Sequence, residues 1–361
     1  MYKSFLVKQN IIMEKKKIIF ILVLFMILSV VNNYYARFIL ESYNNYFIKQ
    51  ILWYILSFII MFIIYKININ FINRYSFYFY LFGNFLLLLT LLIGSSVNGA
   101  SAWLRVGHFT LQPSEFMKIF LILYLKEFTL KYKISDFKYI IFTFLIILIP
   151  SILTFLEPDT GAVIIYLIIW LVFLFFRKLN KWYYILGGGF ILIFLLSFFL
   201  LYYKFQDTFI NIFGTNFFYR MDRITNFING DGYQINEALK SISNSGLFGI
   251  KTKVYFPEST TDFAFSLFIS NFGIIGLIIL TILYTYFIYL LLSLKSNKNL
   301  LYSVIFVILF QYVSNILMNV GLFPIIGITL PFISYGGSSL ISFIILISIL
   351  LKEKAPNSAY L

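Results

Sequence analysis

The chain has 361 residues and a formal net charge of +14, and 61% of its residues are hydrophobic while only 12% are charged. Soluble domains are about half apolar and about a quarter charged, so this composition excludes a water-soluble enzyme, a disordered chain and a fibrous protein. The sequence has no cysteine and a single histidine, which excludes disulfides, thiolate chemistry and metal sites built from Cys or clustered His.

Long apolar runs recur along the chain and predict membrane-spanning helices, since about 20 residues are needed to cross a bilayer core. We predict ten spans, in chain order: 18–36, 50–65, 77–95, 114–130, 139–156, 161–176, 183–203, 264–294, 300–320 and 333–351. The expected fold is therefore an all-α integral membrane protein. It has a short first segment (1–17), a membrane domain (18–351) and a tail (352–361). Met13 could be the true start.

The basic residues predict the orientation of these helices. With both termini in the cytoplasm, most of the 28 Lys and Arg residues and few acidic residues fall on the cytoplasmic side, as the positive-inside rule expects. The positive charge is thus explained by topology, and no nucleic-acid partner is expected. A long outer segment, 204–262, then connects the seventh and eighth helices, and its spaced apolar residues predict short amphipathic helices at the bilayer surface.

A second outer segment, 98–118, is too polar to be a simple connection. Pro113 fits the first turn of a helix, where its missing N–H costs nothing. Glu115 and Lys118 then lie three residues apart on one helix face. Ionisable groups near a membrane usually face the interior of the bundle and pair. Two interpretations stay open: a structural ion pair, or a polar cavity in which Lys118 meets an anionic substrate.

Two aspartates fall at predicted helix starts. Asp262 ends the long outer segment, where it either caps the eighth helix or faces outward as a general base. Asp159 lies in a short turn, where we expect Asp159 or Thr160 to cap the sixth helix. Trp103 is expected to anchor at the membrane interface, and His108 is expected to be a loop residue.

Residues 321–339 combine Gly, Pro and Ser at a density that breaks helices at membrane depth. Irregular backbone is tolerated there only against protein or a wet cavity. We therefore expect Pro331, Ser334, Gly336 and Gly337 to face inward beside the cavity.

Four separated motifs resemble those of the SEDS family (shape, elongation, division and sporulation), the group of RodA and FtsW. They are NGASAWLRVGHFTLQPSEFMK at 98–118, PDTGA at 158–162, PESTTDFAF at 257–265 and GLFPIIGITLPFISYGGSS at 321–339. They occur in the order of the family, and together they extend over nearly the whole chain. The resemblance implies a peptidoglycan glycosyltransferase of the bacterial cytoplasmic membrane that polymerises lipid II beside a class B penicillin-binding protein, a transpeptidase.

The resemblance also implies roles for individual residues. Asp262 matches the essential aspartate of the family and would be the base. The expected substrate-binding residues are Trp103, Arg105, Gln112, Ser114, Glu115, Lys118 and Glu258, with Arg105 and Lys118 assisting the pyrophosphate. Gln50 matches a glutamine common at the start of the second span. A divalent cation such as Mg²⁺ or Mn²⁺ could assist, although the sequence shows no recognisable ligand set, and no other cofactor is expected.

The sequence departs from the family pattern around the aspartate. Thr260 stands in place of a histidine, Ser270 and Asn271 in place of a glutamate pair, and Glu237 and Ala238 where Gln-Ser is common. These changes concern the loop, its partner contacts and the level of activity. The stretch 318–321 is more similar to the RodA branch than to the FtsW branch.

Two other functions remain compatible with the residues. A lipid flippase or transporter also needs polar groups inside a helical bundle, although the polar residues here concentrate at one interface. A non-catalytic scaffold for cell-wall synthases would tolerate Asp262→Asn, whereas a glycosyltransferase would not.

Overall fold

The computed structural model describes residues 2–97, 100–107, 109–213, 232–250 and 255–353, and these residues form a helical bundle with one small sheet. A short 3₁₀ helix occupies Glu41–Tyr43. The α-helices are α1 (Tyr2–Ala36), α2 (Tyr46–Lys66), α3 (Ile69–Arg74), α4 (Ser76–Ile93), α5 (Pro113–Lys131), α6 (Asp136–Leu156), α7 (Thr160–Arg177), α8 (Lys181–Lys204), α9 (Gln206–Phe213), α10 (Tyr233–Ser243), α11 (Ala264–Leu292), α12 (Lys298–Asn319) and α13 (Gly337–Lys352).

Every predicted span corresponds to a helix, and within the described ranges eight segments are long and apolar enough to cross a membrane. The predicted spans 114–130 and 333–351 correspond to α5 and α13, which fall outside this group. Helix α5 carries Glu115, Lys118 and Lys126 among its charged residues, and α13 has only 16 residues.

The predicted start of the last span at residue 333 was wrong, because α13 begins at Gly337. Phe332 has a left-handed backbone (φ 66°), which a helix does not allow. The Ser334 side chain accepts a hydrogen bond from the N–H of Leu330 at 2.8 Å, which stabilises a turn in place of a helix.

Helix α5 lies inside the bundle, with α4, α6, α7, α12 and α13 packed around it. Most of its residues are buried by these neighbours. Its charged side chains can therefore pair within the protein instead of facing lipid, which explains how a helix of modest hydropathy fits into a membrane bundle.

The all-α expectation missed a small antiparallel sheet in the polar segment before α5. Its strands are β1 (Ser95–Val97), β2 (Ala100–Val106) and β3 (Phe109–Leu111), in the order β1-β2-β3. Along β2, Ala102 and Leu104 are buried while Arg105 is exposed, consistent with the alternating faces of a strand. Strand β3 leads directly into α5 and so fixes where that helix starts.

The predicted long segment 204–262 contains two short helices, α9 and α10, in the part that the structure describes. Helix α10 packs against α11 and α12. Helix α11 is broken at Gly273 (φ 63°). There the N–H groups of Ile274 and Ile275 donate to the carbonyls of Gly246 and Leu247 at 3.0 and 3.2 Å, so the end of the long segment is attached to the break.

Candidate active site

The first residues of α5, α7, α11 and α13 lie together at one end of the bundle, which we call the Asp262 end. Contacts between their first residues, described below, hold these helix starts together. Helix N-termini carry partial positive charge from unpaired N–H groups and favour anions. The Asp262 end therefore suits the carboxylates in its helix starts and an anionic ligand.

Asp262 lies in the turn that leads into α11. The N–H of Phe263 donates to the carbonyl of Glu258 at 3.0 Å, and the Thr261 hydroxyl donates to the Glu258 carboxylate at 2.5 Å. Glu258 has a left-handed backbone (φ 55°). Its side chain helps to hold the turn because its carboxylate accepts the Thr261 hydrogen bond. The N-cap position of α11 is Phe263, not Asp262.

Three consecutive carbonyls of this turn accept hydrogen bonds from distant segments. The N–H of Tyr335 donates to Thr260 at 2.8 Å, and the hydroxyl of Ser334 donates to Thr261 at 2.5 Å. Two amide side chains of α12 donate to Asp262 at 2.7 and 3.0 Å. The backbone of Asp262 is thus fixed between α12 and the irregular segment before α13.

The half-buried carboxylate of Asp262 lies beside Gly327. A Cβ added to Gly327 (φ 71°) would lie 3.9 Å from Asp262 Oδ2. A Cβ on Gly161, in the first turn of α7, would lie 2.7 Å from the carbonyl oxygen of Ile326. The residues around Gly327 therefore lie between Asp262 and the start of α7.

Asp159 caps α7, as its place in the turn predicts. Its Oδ1 accepts from the N–H of Ala162 at 3.0 Å. Its Oδ2 accepts from Gln112 Nε2 at 2.9 Å and from the Ser114 hydroxyl at 2.7 Å. Desolvation raises the pKa of this carboxyl above its usual range, although these three bonds oppose the shift. Asp159 thus joins α7 to the start of α5.

Glu157, two residues earlier, was not identified from the sequence. Its side chain is fully buried (0% exposed), and neither carboxyl oxygen has a hydrogen-bond partner among the described residues. Desolvation, reinforced by the charge of Asp159, raises the pKa of Glu157 to about 8. The protonated form of this carboxyl is therefore favoured to a higher pH than in an exposed glutamate.

Glu115 and Lys118 form the expected ion pair, with Nζ and Oε2 2.5 Å apart. Lys118 is buried (1% exposed), and its ammonium lies 4.1 Å from the centre of the Phe343 ring. The hydroxyl of Ser342 also donates to Glu115 Oε2, at 3.0 Å. The pair therefore lies between α5 and α13 and joins them.

A chain of hydroxyl groups leads from this ion pair toward Asp262. The Ser342 hydroxyl, whose one proton is shared between two acceptors, also lies 2.8 Å from the carbonyl oxygen of Ser339, and the Ser339 hydroxyl lies 3.1 Å from that of Thr329. Thr329 is two residues from Gly327, beside the aspartate. The N–H of Gln112 donates to the Ser338 hydroxyl at 3.0 Å, which ties the start of α5 to that of α13.

Arg105 and Trp103 lie on the strand that precedes this cluster. Arg105 is exposed and pairs in register with Thr110 of β3. Trp103 is half-buried and pairs with Ser95 of β1. Of the two basic side chains predicted from the sequence, Arg105 is thus accessible, whereas Lys118 is enclosed.

The predicted inward-facing residues of the last motif lie against buried groups. Tyr284 donates its hydroxyl proton to the carbonyl of Pro331, and Gln50 Nε2 donates to the carbonyl of Ser334 at 3.2 Å. Gly336 is the N-cap residue of α13. A Cβ on Gly337 would lie 2.5 Å from the ring of Trp53, so only glycine allows this close approach.

Three of the residues that depart from the family pattern make defined contacts within the protein. Asn271 donates to Asn32 Oδ1 at 2.8 Å, and Glu237 pairs with Lys240 at 2.6 Å. Ala238 is fully buried in a small apolar cluster. Asn271 thus joins α11 to α1, whereas Glu237 and Ala238 make their contacts from α10.

The described residues show no cluster of side chains suited to binding a metal ion. Over the described ranges, no three His, Cys, Asp or Glu side chains lie close enough together to hold an ion. The donor set therefore does not fit a dedicated divalent-cation site, and no step is assigned to one.

A family model described as "Cell cycle protein" and named for FtsW, RodA and SpoVE matches residues 10–358. The chain belongs to this family. It is 31% identical over 342 residues to the probable peptidoglycan glycosyltransferase FtsW of Wigglesworthia glossinidia brevipalpis, covering 87% of this chain and 86% of that protein. It is 31% identical over 339 residues to the protein of the same name from Coxiella burnetii, covering 85% and 86%.

Two solved structures share the fold. A chain from a peptidoglycan synthase complex, described as coordinating polymerization and crosslinking, matches with a TM-score of 0.78 at 24% identity, covering 93% of this chain and 96% of that one. Rod shape determining protein RodA of Thermus thermophilus matches with a TM-score of 0.68 at 24% identity, covering 93% and 95%. With the eight apolar segments, family membership shows a multi-pass protein of the bacterial cytoplasmic membrane.

The preference for the RodA branch is not supported, because the curated relatives carry the name FtsW. That preference rested on residues 318–321. In the structure Asn319 of this stretch donates to the carbonyl of Asp262 and so helps to hold its turn.

Proposed function

We propose that this protein is a peptidoglycan glycosyltransferase that polymerises lipid II at the outer face of the cytoplasmic membrane, with Asp262 as general base. The relatives named for this activity support the reaction. The observation that carries the role of Asp262 is its backbone, fixed from α12 and from residues 334–335 while its carboxylate remains half-exposed. A base held in this way can meet a substrate without reorganising.

The reaction uses a sugar hydroxyl of one lipid-linked molecule and the anomeric carbon of another. Asp262 takes the hydroxyl proton while the new C–O bond forms. The bond to the pyrophosphate breaks, and polyprenyl pyrophosphate leaves with the electron pair. Because this leaving group is already activated, no carboxylic acid has to protonate it, in contrast to ordinary glycoside hydrolysis.

Charge that develops on the pyrophosphate needs positive groups nearby. The exposed Arg105 can contact it directly, since a guanidinium pairs well with phosphate oxygens. Lys118 is buried and paired with Glu115, so it acts on the pyrophosphate only through its electric field and not by direct contact. The four helix starts at the Asp262 end add their dipoles in the same sense.

Three of the residues predicted to bind substrate are proposed to act indirectly. Gln112 and Ser114 act through Asp159, and Glu258 acts by holding the turn of Asp262. Trp103 lies half-buried on β2, where its ring can contact a headgroup or lipid tail. We assign division as the cellular role, from the names of the relatives, and a class B penicillin-binding protein as partner.

The position of the polar groups favours this function over a flippase. The charged residues of α5 lie at its two ends, with 119–125 apolar between them. A transporter needs polar groups near the middle of the membrane. The buried ionisable groups instead lie toward the two ends of the bundle, with Glu115, Lys118 and Glu157 at the Asp262 end and Lys126, paired with Glu353, toward the opposite end.

The test is polymerisation of purified lipid II by the wild type and by Asp262→Asn, each with its transpeptidase partner. Asp207→Asn is the matched control, since Asp207 is an exposed aspartate of the same long segment. We expect glycan polymer from the wild type and the control and none from Asp262→Asn. Polymer at the wild-type rate from Asp262→Asn would refute the base role, and lipid II transfer across vesicles without polymer would favour a flippase.

A further inference from the structure

We propose that Asn315 and Asn319 of α12 are positioning residues for Asp262. Asn315 fixes the spacing between Asp262 and the segment around Gly327. Asn319 supplies the hydrogen-bond acceptor that the N-cap residue of α11 lacks. The proposal rests on Asp262 being the base.

The two asparagines lie one helical turn apart, so they share one face of α12. Both are fully buried (0% exposed). Their Nδ2 groups donate to the same oxygen, the carbonyl of Asp262, at 2.7 Å from Asn315 and 3.0 Å from Asn319. Because buried amides are costly to leave unpaired, the two side chains and this carbonyl hold one another in place.

Asn315 also connects the two segments on either side of the carboxylate. Its Nδ2 donates a second hydrogen bond, at 2.8 Å, to the carbonyl of Ile328. Ile328 follows Gly327, the residue beside Asp262 Oδ2. One amide nitrogen therefore sets how far the backbone of Asp262 stands from the segment around Gly327, against which its carboxylate lies.

Asn319 performs a task that N-cap residues usually perform. Its Oδ1 accepts from the backbone N–H of Ser266 at 2.9 Å and from the Ser266 hydroxyl at 2.5 Å. Ser266 is the third residue of α11, where the N–H lacks an intrahelical partner and an N-cap side chain normally accepts it. Phe263 occupies the N-cap position and has no side-chain acceptor.

The cap of α11 thus comes from another helix, so Asp262 does not have to turn its carboxylate back to supply it. A further bond of Asn319, from Nδ2 to the carbonyl of Asn315 at 2.8 Å, fixes the orientation of its amide. A displacement of about 1 Å at a reacting group can cost about 100-fold in rate. The two amides are therefore expected to control turnover more than substrate affinity.

The experiment compares Asn315→Leu and Asn319→Asp with a matched control, Gln311→Leu. Gln311 is a buried amide on the same face of α12, one turn from Asn315 and further from Asp262. Asn319→Asp keeps an acceptor for Ser266 but removes the donor to Asp262, so it separates capping from positioning. Each variant is purified with the partner, and the rate is measured against lipid II concentration and pH, together with the melting temperature.

We expect kcat to fall about 10- to 100-fold in Asn315→Leu and Asn319→Asp, with KM changed less than about threefold and the acidic limb of the pH profile displaced. Gln311→Leu should change kcat less than about twofold even where it lowers the melting temperature as much. If Asn315→Leu does not fold, it is replaced by the milder Asn315→Ser, which keeps a short donor. We then expect a smaller fall in kcat, again with little change in KM.

Unchanged kcat and pH profile in folded Asn variants, or an equal loss in Gln311→Leu, would overturn the positioning role. Such a result beside an inactive Asp262→Asn would leave the proposed function standing. Activity of Asp262→Asn would instead remove the base itself, so the two failures are distinguishable.

Discussion

Replacing Glu157 by glutamine should change how the stability of the protein depends on pH. Glu157 is fully buried, and desolvation together with Asp159 raises its pKa from 4.5 to about 8. When the pH lies between these two pKa values, Glu157 keeps its proton in the folded protein and has lost it in the unfolded chain. The folded state therefore binds more protons, and the free energy of unfolding must fall as pH rises from about 4.5 to about 8.

The magnitude follows from the size of the shift, since each pKa unit corresponds to about 1.36 kcal/mol. Between pH 4.5 and pH 7 the wild type loses roughly 3 kcal/mol through this residue, and roughly 5 kcal/mol once the pH exceeds about 8. Glutamine has nearly the same shape but does not titrate. Glu157→Gln should therefore become more stable relative to the wild type as the pH rises, whatever constant offset the amide introduces.

The assay is the melting temperature of the detergent-purified protein from pH 5 to pH 9. The difference between Glu157→Gln and the wild type should grow by several degrees in favour of the variant and level off above about pH 8. Glu41→Gln, at an exposed glutamate, should keep a constant difference from the wild type. A gap for Glu157→Gln that stayed constant, or that widened toward acidic pH, would refute the assignment of a protonated buried carboxyl.

Three further substitutions test other parts of the structure. Arg105→Ala should raise the KM for lipid II about 10-fold, with Arg105→Lys partly restoring it, because the exposed guanidinium is assigned to the pyrophosphate; equal KM values for all three proteins in the polymerisation assay would contradict this contact. Lys126 is fully buried and forms an ion pair with Glu353 at 3.0 Å. Lys126→Met should therefore lower the free energy of unfolding by about 3–5 kcal/mol. A melting temperature unchanged from the wild type would argue against a buried pair. Gly327→Ala places a Cβ 3.9 Å from Asp262 Oδ2 in a backbone with φ 71°, so a cost of about 1–2 kcal/mol and a lower polymerisation rate are expected; normal rates would show that the segment around Gly327 is not close to the reacting groups.

The sequence by itself determined the features that depend on neighbouring residues. Helices in a membrane are specified by long apolar runs, because lipid offers no partner to an unpaired backbone group, and so every predicted span corresponds to a helix. The Glu115–Lys118 pair and the Asp159 cap were also predictable, because each joins residues only three positions apart in the sequence. The four separated motifs identified the family without any knowledge of packing.

Only the tertiary structure decided which distant groups meet. The donors to the carbonyl of Asp262 lie 53 and 57 residues away along the chain, and the Ser334 hydroxyl that fixes the adjacent carbonyl lies 73 residues from Thr261. An asparagine in an apolar helix signals a buried polar contact but does not name its partner, because that choice depends on how helices cross and which faces they present. For the same reason, the burial of Glu157 was decided by the helices packed around its turn and not by its neighbours in sequence.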